Sequence, residues 1–222
     1  MVIVLDGRER GRYSTLFDSL FRLRYEVFIK FRGWSLPAVG DREIDQYDID
    51  DSVYFLDLDE QGGIQGSVRI TPTLKGSLLA DYFPHLVESG DSPRSPDVYE
   101  ATRYIVLPAV KSRSANRLAK ARLLSSMFEW ALERKISFIQ SIIDTSAVSN
   151  FVEMTPQMKP LGLSYPYGGG REAPGGGECI AFRWPLSLQL IHDVRQYGGL
   201  DEESKQIATA SQYHAELLQS VH

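Results

Sequence analysis

A strongly β-prone run at residues 98–107 holds a glutamate and an arginine among apolar side chains. Burying a charge pair in a strand costs free energy unless both groups find partners. Strand side chains alternate between two faces, so Glu100 and Arg103, three residues apart, should lie on opposite faces. Both can reach one cleft only if a β-bulge or a splay interrupts the alternation. The run therefore predicts either an irregular strand beside a polar site or a structural ion pair.

The segments around this run predict a mixed α/β sheet covered by helices on its faces. Apolar residues recur at helical spacing in 13–31 and 114–134. Further strands are predicted at 2–5, 53–59, 64–71, 136–143 and 178–184, and further helices at 147–154, 188–194 and 202–218. Because no linker or repeat interrupts the pattern, we expect a single domain over 1–222, with a core at 1–185 and a C-terminal helical tail at 186–222.

Composition excludes several function classes. The 222 residues include 24 Lys and Arg against 29 Asp and Glu, a net charge of −5 that disfavours general nucleic-acid binding. No apolar run approaches the roughly 18 residues that a membrane helix needs, and no signal-peptide pattern opens the chain. We therefore expect a cytoplasmic protein that does not bind membranes. The single Cys179 and four histidines without ligand spacing predict no metal site.

An arginine and two aromatic residues follow the first predicted helix. Arg24 and Phe28 are four residues apart and share a helix face, and Trp34 comes shortly after the helix. The ordinary interpretation is a solvated arginine and a core phenylalanine. The functional alternative is an aromatic wall, on which a sulfonium or ammonium group would gain roughly 0.5–2 kcal/mol.

The segment 43–51 is unusually acidic, with Asp45 and Asp48 near its centre. Its spacing does not fit a calcium-binding EF-hand loop, because apolar side chains fall where oxygen ligands are needed. It is either an exposed acidic loop or a group of acids paired with Arg24 and other arginines beside a positively charged ligand.

A basic segment at 111–122 follows a strand and opens a helix. Ser112 or Ser114 can cap that helix and leave backbone N–H groups free for an anion. Lys111, Arg113 and Arg117 would suit a phosphate-bearing ligand such as coenzyme A or a phosphopantetheine arm. The alternative is a basic, solvated helix face.

In their order and spacing, these blocks resemble the acyl-homoserine-lactone synthase family, the autoinducer synthases of quorum sensing. The resemblance runs from the first helix to about residue 184. It is carried by Arg24, Phe28, Trp34, Asp45, Asp48, Arg69 in Gly-Ser-Val-Arg-Ile-Thr-Pro-Thr, Phe83 in Leu-Leu-Ala-Asp-Tyr-Phe-Pro, and Glu100-x-x-Arg103. It implies an acetyltransferase-like (GNAT-type) fold, a three-layer α-β-α arrangement in which a splayed central sheet grips the acyl donor.

The resemblance also implies a reaction. An acyl thioester acylates the amine of S-adenosyl-L-methionine, the methionyl moiety cyclises to a lactone, and 5′-methylthioadenosine leaves. S-adenosylmethionine and acyl-CoA or an acyl carrier protein would be substrates, with no prosthetic group, and we expect a monomer.

Roles follow from the resemblance and from the chemistry of each side chain. Glu100 is the candidate general base, directly or through a water. Arg103 would hold that carboxylate and organise Asp45 and Asp48, which complete the catalytic set and would favour the sulfonium. Arg24 would brace the acidic loop, and Arg69 would pair with a carboxylate of the protein or the substrate. The predicted substrate-binding set is Arg24, Phe28, Trp34, Arg69, Phe83 and Thr102.

The acyl group is predicted from the strand after the long helix. Many family members carry a threonine there that can contact a 3-oxo group, and an ungapped count puts Ile142 at that position. A short, branched or aryl acyl group without a 3-oxo oxygen is therefore favoured. The predicted acyl pocket consists of Phe138, Ile142, Phe151, Val152 and Met154. The glycine-rich loop at 168–177 departs from the family pattern.

Two other functions fit part of the sequence. An ordinary amine N-acetyltransferase would use the same fold and the basic segment, but would not need Trp34 with Asp45 and Asp48. A non-catalytic module that binds acyl-CoA or a partner would not need Glu100 as a base.

Overall fold

The computed structural model describes residues 1–88, 93–108 and 110–201, and the backbone of 207–209. The helices are α1 (Ser14–Arg24), α2 (Leu78–Tyr82), α3 (Arg113–Glu133), α4 (Val148–Met154) and α5 (Leu188–Gly198). The strands are β1 (Val2–Asp6), β2 (Ala38–Val39), β3 (Arg42–Glu43), β4 (Val53–Leu58), β5 (Ile64–Pro72), β6 (Val98–Val106), β7 (Phe138–Asp144), β8 (Lys159–Pro160), β9 (Tyr165–Tyr167), β10 (Gly177–Pro185) and β11 (Ile207–Thr209). Within these residues, none of the helices has the length and apolar character needed to cross a membrane.

Nine strands form one mixed sheet in the order β11-β1-β4-β5-β6-β7-β10-β8, with β9 added to β10. Along this order, the pairs β1–β4, β4–β5 and β5–β6 are antiparallel, β6 and β7 are parallel, and β7 and β10 are antiparallel. Strands β2 and β3 form a separate small hairpin.

Successive strand residues point to opposite faces of the sheet, and both faces carry apolar side chains. Helices therefore cover both faces. On one face, Ile3 and Tyr54 pack with apolar residues of α1. On the other, Val2 and Phe55 join the main core with α3 and α5. The three-layer α-β-α architecture is confirmed.

Strands β6 and β7 separate partway along their length. They pair only at Val98–Phe138, Tyr99–Ile139 and Glu100–Gln140, although both strands continue beyond that last pair. We call the gap beyond the Glu100–Gln140 pair the fork. It confirms the predicted splay of the central sheet, and it lies next to the run that contains Glu100 and Arg103.

The predicted irregularity of this run is also confirmed. Between the pairs Ser67–Ile105 and Arg69–Thr102, β6 advances three residues where β5 advances two, which is a β-bulge. Arg103 lies in the bulge with a φ of 56°, in the left-handed region that non-glycine residues rarely adopt. The extra residue changes the alternation and turns Arg103 toward the acidic segment.

Two predicted helices need correction. The helix expected at 13–31 is α-helical only to Arg24 and continues as a π-helical segment over Tyr25–Phe31. In the predicted tail, α5 is present, but Ile207–Thr209 is a strand that pairs with β1, so the helix predicted at 202–218 is wrong there. The local sequence pattern of the tail does not predict that this segment pairs with β1 as a strand. The remainder of that prediction lies outside the described residues.

Candidate active site

Three arginines and three acids form one buried group beside β5 and β6. We call it the ionic cluster. Its members are Arg24, Glu43, Asp45, Asp48, Arg69 and Arg103. None of these side chains is more than 9% exposed. Because positive and negative members are equal in number, the cluster can be buried without an unpaired charge.

Arg24 joins the end of α1 to the acidic segment. Its Nη1 and Nη2 donate to the two carboxylate oxygens of Asp48 at 2.8 and 2.9 Å, and its Nε donates to Glu43 at 2.6 Å. This two-pronged geometry matches the planar guanidinium to a carboxylate. The predicted brace of the acidic segment is therefore confirmed.

Arg69 lies at the centre of the cluster. Nη1 and Nη2 donate to Asp45 at 2.6 and 3.0 Å, and Nη1 also lies 2.8 Å from Asp48. The hydroxyl of Thr102 accepts from Nε and Nη2 at 3.2 and 3.0 Å. Arg69 therefore pairs with protein carboxylates and also contacts Thr102.

Arg103 corrects one prediction. Its guanidinium donates to both oxygens of Glu43 at 2.8 and 3.0 Å and lies 2.8 Å from Asp45. The expected contact with Glu100 is wrong, because the bulge turns Arg103 toward β3. Glu43, which holds two of the three arginines, was not predicted as a site residue. Its place in the acidic segment marked it as a possible partner of the arginines. Only the folded structure shows that Glu43, and not another acid of that segment, binds both Arg24 and Arg103.

The arginines control the charge state of the cluster. Burial alone would raise the pKa of Asp45, but Arg69 and Arg103 hold it below its ordinary value. The pKa of Asp48 is likewise lowered, against the effect of burial, by Arg69 and Arg24. These acids are therefore ionised, and each is paired with two arginines of the cluster.

Glu100 occupies a different environment, at the strand pair where the fork begins. It is 1% exposed, and its carboxylate accepts from Ser77 Oγ at 2.5 Å, Leu79 N at 3.1 Å and Gln140 Nε2 at 3.2 Å. Burial raises its pKa, while these donors act in the opposite direction. Ser77 caps α2, so Glu100 also ties α2 to the sheet.

Two aromatic rings stand next to the cluster. Phe28 and Trp34 are stacked, with ring centroids 5.3 Å apart and planes 7° apart. The Arg103 guanidinium lies 5.5 Å from the Phe28 ring, and that of Arg32 lies 5.3 Å from the Trp34 ring. The structure thus brings together the two aromatics predicted for an aromatic wall, with Phe28 buried and Trp34 half-buried.

Phe83 follows α2 and is half-buried. Together with Ile142 and Tyr167, it packs on a small apolar group between α2 and β10. That group consists of Leu79, Leu86, Leu161, Cys179 and Ala181. Phe83 and Ile142 therefore approach the same region from opposite sides of the fork.

The predicted acyl-pocket residues are not brought together as one set. Phe151 and Met154 belong to the main core on the α3 side, while Ile142 packs on the opposite face. Phe138 shares the Ile142 face by strand alternation, and Val152 is 48% exposed. The sheet therefore separates Phe138 and Ile142 from Phe151 and Met154.

Aromatic rings fill the α3 side of the fork. The ring of Tyr104, which was not predicted as a pocket residue, lies 5.4 Å from that of Phe151, and Phe151 lies 6.1 Å from Trp184. Because Tyr104 follows the bulge, its face could not be inferred from strand alternation.

The basic segment opens α3 as predicted. Ser112 Oγ caps the helix by accepting from Ala115 N at 3.1 Å, and Lys111 and Arg113 are exposed. A small cavity of about 130 Å³ lies against this end of α3 and is lined by Arg113, Asn116, Arg117, Lys120 and Glu153, among others.

A larger cavity of about 620 Å³ lies against the opposite end of α3, beside Trp130 and Arg134. None of the predicted site residues lines it, so we do not place the chemistry there.

Comparisons with known proteins agree with this geometry. The family described as "Autoinducer synthase" matches residues 8–150. The chain is 31% identical over 164 residues to an isovaleryl-homoserine lactone synthase of Bradyrhizobium diazoefficiens, which covers 73% of each protein.

Solved structures share the fold. A CoA-dependent acyl-homoserine lactone synthase, BjaI, solved with SAM and isopentyl-CoA, has a TM-score of 0.80 at 24% identity, over 98% of this chain and 99% of that one. A second such enzyme, MesI, described as CoA-dependent, has a TM-score of 0.77 at 26% identity, over 94% and 99%. A putative N-acetyltransferase from Lactobacillus plantarum has a TM-score of 0.54 at 16% identity, over 84% and 98%, and confirms the acetyltransferase-like fold.

Proposed function

The chain belongs to the autoinducer synthase family and is an acyl-homoserine-lactone synthase, and we propose that it transfers a short acyl group from acyl-CoA to S-adenosyl-L-methionine. The proposal rests on two features of the same fork: the buried Glu100 carboxylate, with its raised pKa, where the fork begins, and the stacked Phe28–Trp34 pair, in which Trp34 contacts Tyr167 on the β10 side.

The reaction has two bond-exchange steps. After the substrate ammonium loses a proton, its nitrogen attacks the thioester carbonyl carbon; a C–N bond forms, the C–S bond breaks, and the second nitrogen proton leaves with the CoA thiol. A methionyl carboxylate oxygen then attacks the carbon next to the sulfonium. A C–O bond forms, the C–S bond breaks, and the sulfur leaves as the neutral thioether of 5′-methylthioadenosine.

Glu100 is the proposed base for the first proton. An α-amino group has a pKa near 8, so much of it is protonated at neutral pH. A general base works best when its pKa lies near the working pH. Among the acids of the site, Asp45 and Asp48 have lowered pKa values, while burial raises that of Glu100. A water can carry the proton, because Glu100 itself is almost fully buried.

The aromatic pair is the proposed recognition element for the sulfonium. Phe28 covers one face of Trp34, and the exposed Arg32 already places a cation over the Trp34 ring. A substrate cation can take the position of Arg32, with a gain of roughly 0.5–2 kcal/mol. Phe83 closes the site from α2.

The ionic cluster is the proposed rigid support of the site. Arg24 and Arg69 are fully committed to protein carboxylates, while Arg103 is the most accessible of the three arginines. We therefore assign Arg103 to the substrate carboxylate, next to its contacts with Glu43 and Asp45. Thr102 then acts indirectly, by holding Arg69.

The proposed acyl donor is acyl-CoA rather than an acyl carrier protein. CoA carries phosphates on its adenosine moiety that a carrier-bound arm lacks, and the start of α3 offers Lys111, Arg113 and Arg117 around a small cavity. MesI, at 26% identity, is described as CoA-dependent.

The proposed acyl group is short and branched or aryl, without a 3-oxo oxygen. The rings of Tyr104, Phe151 and Trp184 lie in contact on the α3 side of the fork and would limit the length of the acyl chain there, and Ile142 offers no hydroxyl. The relative from Bradyrhizobium diazoefficiens is named for an isovaleryl product, which is a short branched acyl group.

We also propose that the enzyme acts as a monomer in the cytoplasm. Every residue of the site described above comes from one chain, and S-adenosylmethionine and acyl-CoA are cytoplasmic metabolites. Light scattering coupled to size exclusion tests the monomer.

The activity is tested by mixing purified protein with S-adenosylmethionine and a panel of straight, branched and aryl acyl-CoAs and the matching acyl carrier proteins. We expect methylthioadenosine and an acyl-homoserine lactone in equal amounts, with the highest kcat/KM for a short branched or aryl acyl-CoA. Acylation of unrelated amines without methylthioadenosine would contradict the proposal.

The donor site is tested with Arg113→Ala and Arg117→Ala. We expect each to raise KM for acyl-CoA several-fold while KM for S-adenosylmethionine stays constant. Lys159→Ala, which removes an exposed cation from β8, is the matched control. Equal KM values in all three variants would remove the basic segment from the donor site.

A further inference from the structure

We propose that Tyr167 and its partner Asp144 are positioning residues that hold Trp34 across the fork, so that affinity for S-adenosylmethionine depends on the far strand of the sheet. The inference rests on the proposed function of Trp34 in binding that substrate. Neither Tyr167 nor Asp144 was suggested by the sequence.

Trp34 needs an anchor because of its position in the chain. It lies in an irregular stretch between the π-helical segment and β2. Its backbone N–H donates to the carbonyl of Phe28 at 2.9 Å, but the orientation of its side chain depends on ring contacts. Stacking on Phe28 holds one face of its ring. The ring also meets Tyr167 edge-on, with centroids 6.2 Å apart and planes 85° apart. Edge-to-face contacts of this kind are a favoured arrangement of aromatic pairs.

Tyr167 is in turn fixed by the last residue of β7. Its hydroxyl donates to Asp144 Oδ2 at 2.7 Å, and the other oxygen of Asp144 accepts from Ser146 N at 2.9 Å. Burial, followed by the contact with Asp144, raises the pKa of Tyr167 to about 12, whereas the Trp34 indole N–H acts in the opposite direction. Tyr167 therefore stays a neutral donor to Asp144 at neutral pH.

A second contact reaches the residue before Trp34. In the glycine-rich loop between β9 and β10, Gly175 has a φ of +72°, and a Cβ there would lie 2.2 Å from the carbonyl oxygen of Gly33. Only glycine allows the two backbones to approach this closely. The loop that departs from the family pattern thus packs on the turn that leads into Trp34.

These contacts make Trp34 a bridge between the two sides of the fork. Phe28 lies on the side of the ionic cluster, since the Arg103 guanidinium lies over its ring. Tyr167 and Asp144 belong to the β7 and β10 side. Loss of the far anchor should leave Glu100 and the acyl-donor site intact, and should weaken substrate binding more than the chemical step.

The test is Tyr167→Phe, which keeps the ring and removes only the hydroxyl. We expect calorimetry to show about 5-fold weaker binding of S-adenosylmethionine, roughly the effect of one typical intramolecular hydrogen bond. Kinetics should show a matching rise in its KM, with kcat within about 2-fold. Tyr165→Phe is the matched control, because Tyr165 lies on the same strand but its ring contacts His85. Gly175→Ala should have a larger effect of the same kind.

The fluorescence of Trp34 distinguishes a failure of this proposal from a failure of the proposed function. Acrylamide quenching of tryptophan fluorescence, assigned with Trp34→Phe, should increase in Tyr167→Phe. Unchanged quenching and unchanged affinity would overturn the positioning role while the enzyme remains a synthase. Wild-type protein that binds no S-adenosylmethionine would overturn the proposed function, and the substrate-binding role of Trp34 with it.

Discussion

Asp48 in the ionic cluster and Glu100 at the fork are two carboxylates with almost the same burial and opposite behaviour. Both are nearly inaccessible to water, yet the pKa of Asp48 is lowered and that of Glu100 is raised. Asp48 faces Arg24 and Arg69, whereas the hydrogen-bond donors to Glu100 are uncharged. Partner charge, and not depth, decides which acid can accept a proton.

The largest expected effect is on catalysis, from Glu100→Gln. If Glu100 is the base, kcat should fall by ~10²–10⁴-fold, since glutamine cannot take the proton. The rate of methylthioadenosine release measures this. Glu133→Gln removes an exposed acid and should change nothing. An unchanged rate in Glu100→Gln would assign Glu100 to the support of α2 alone.

A comparable loss, but in stability, is expected from Arg69→Met. Removing the central arginine leaves Asp45 and Asp48 buried without their main partner, which should cost about 3–5 kcal/mol of unfolding free energy. Denaturant titration measures the loss. Arg22→Met breaks only exposed pairs, with Asp18 and Asp41, and should cost much less, because such pairs are worth about 0–1 kcal/mol each. Equal losses would show that the cluster does not support the fold.

The two regions should respond to pH in opposite directions. Because the pKa of Glu100 is raised on folding, its contribution to stability is complete below its ordinary pKa of 4.5 and is lost as pH rises through the raised value. The difference in unfolding free energy between wild type and Glu100→Gln should therefore shift in favour of wild type as the pH falls from 7 to 5.

The ionic cluster should give the opposite pH dependence of the unfolding free energy. The pKa values of Asp45 and Asp48 are lowered from 3.8, so their contribution is complete above that pH and is lost as pH falls below it. The stability penalty of Arg69→Met should accordingly shrink below pH 3.8. Parallel pH dependence of the two variants would contradict the comparison.

The smallest expected effect is from Ser77→Ala. Ser77 lowers the pKa of Glu100 through its hydrogen bond, so its removal should move the acidic limb of the kcat profile to higher pH. Ser77 also caps α2, and its loss should cost about 1 kcal/mol. Ser112→Ala, at the cap of α3, should match that stability loss without moving the profile.

Local sequence patterns were sufficient for much of the fold and for part of the site. The three-residue spacing of Glu100 and Arg103 predicted a bulge or a splay if both were to reach one cleft, and a bulge at Arg103 is present. The acidic segment was expected to pair with Arg24, and it does. These features depend on residues close in sequence, or on charges that must be paired wherever they are buried.

Other parts of the site were decided by contacts between distant segments. Arg103 contacts Glu43, sixty residues away, instead of Glu100, because one extra residue in β6 turns its side chain. The predicted acyl pocket is divided because Ile142 on β7 faces the α2 side of the sheet, whereas Phe151 on α4 packs into the main core on the α3 side.

The sequence by itself determined the layers and the family, because hydrophobic periodicity and motif order are properties of neighbouring residues. Only the tertiary structure decided which carboxylate pairs with which arginine. It also decided that Tyr167 contacts Trp34 across the fork. Hydrogen bonds and charge pairs act over a few ångströms, and only the folded sheet brings residues more than a hundred positions apart within that distance.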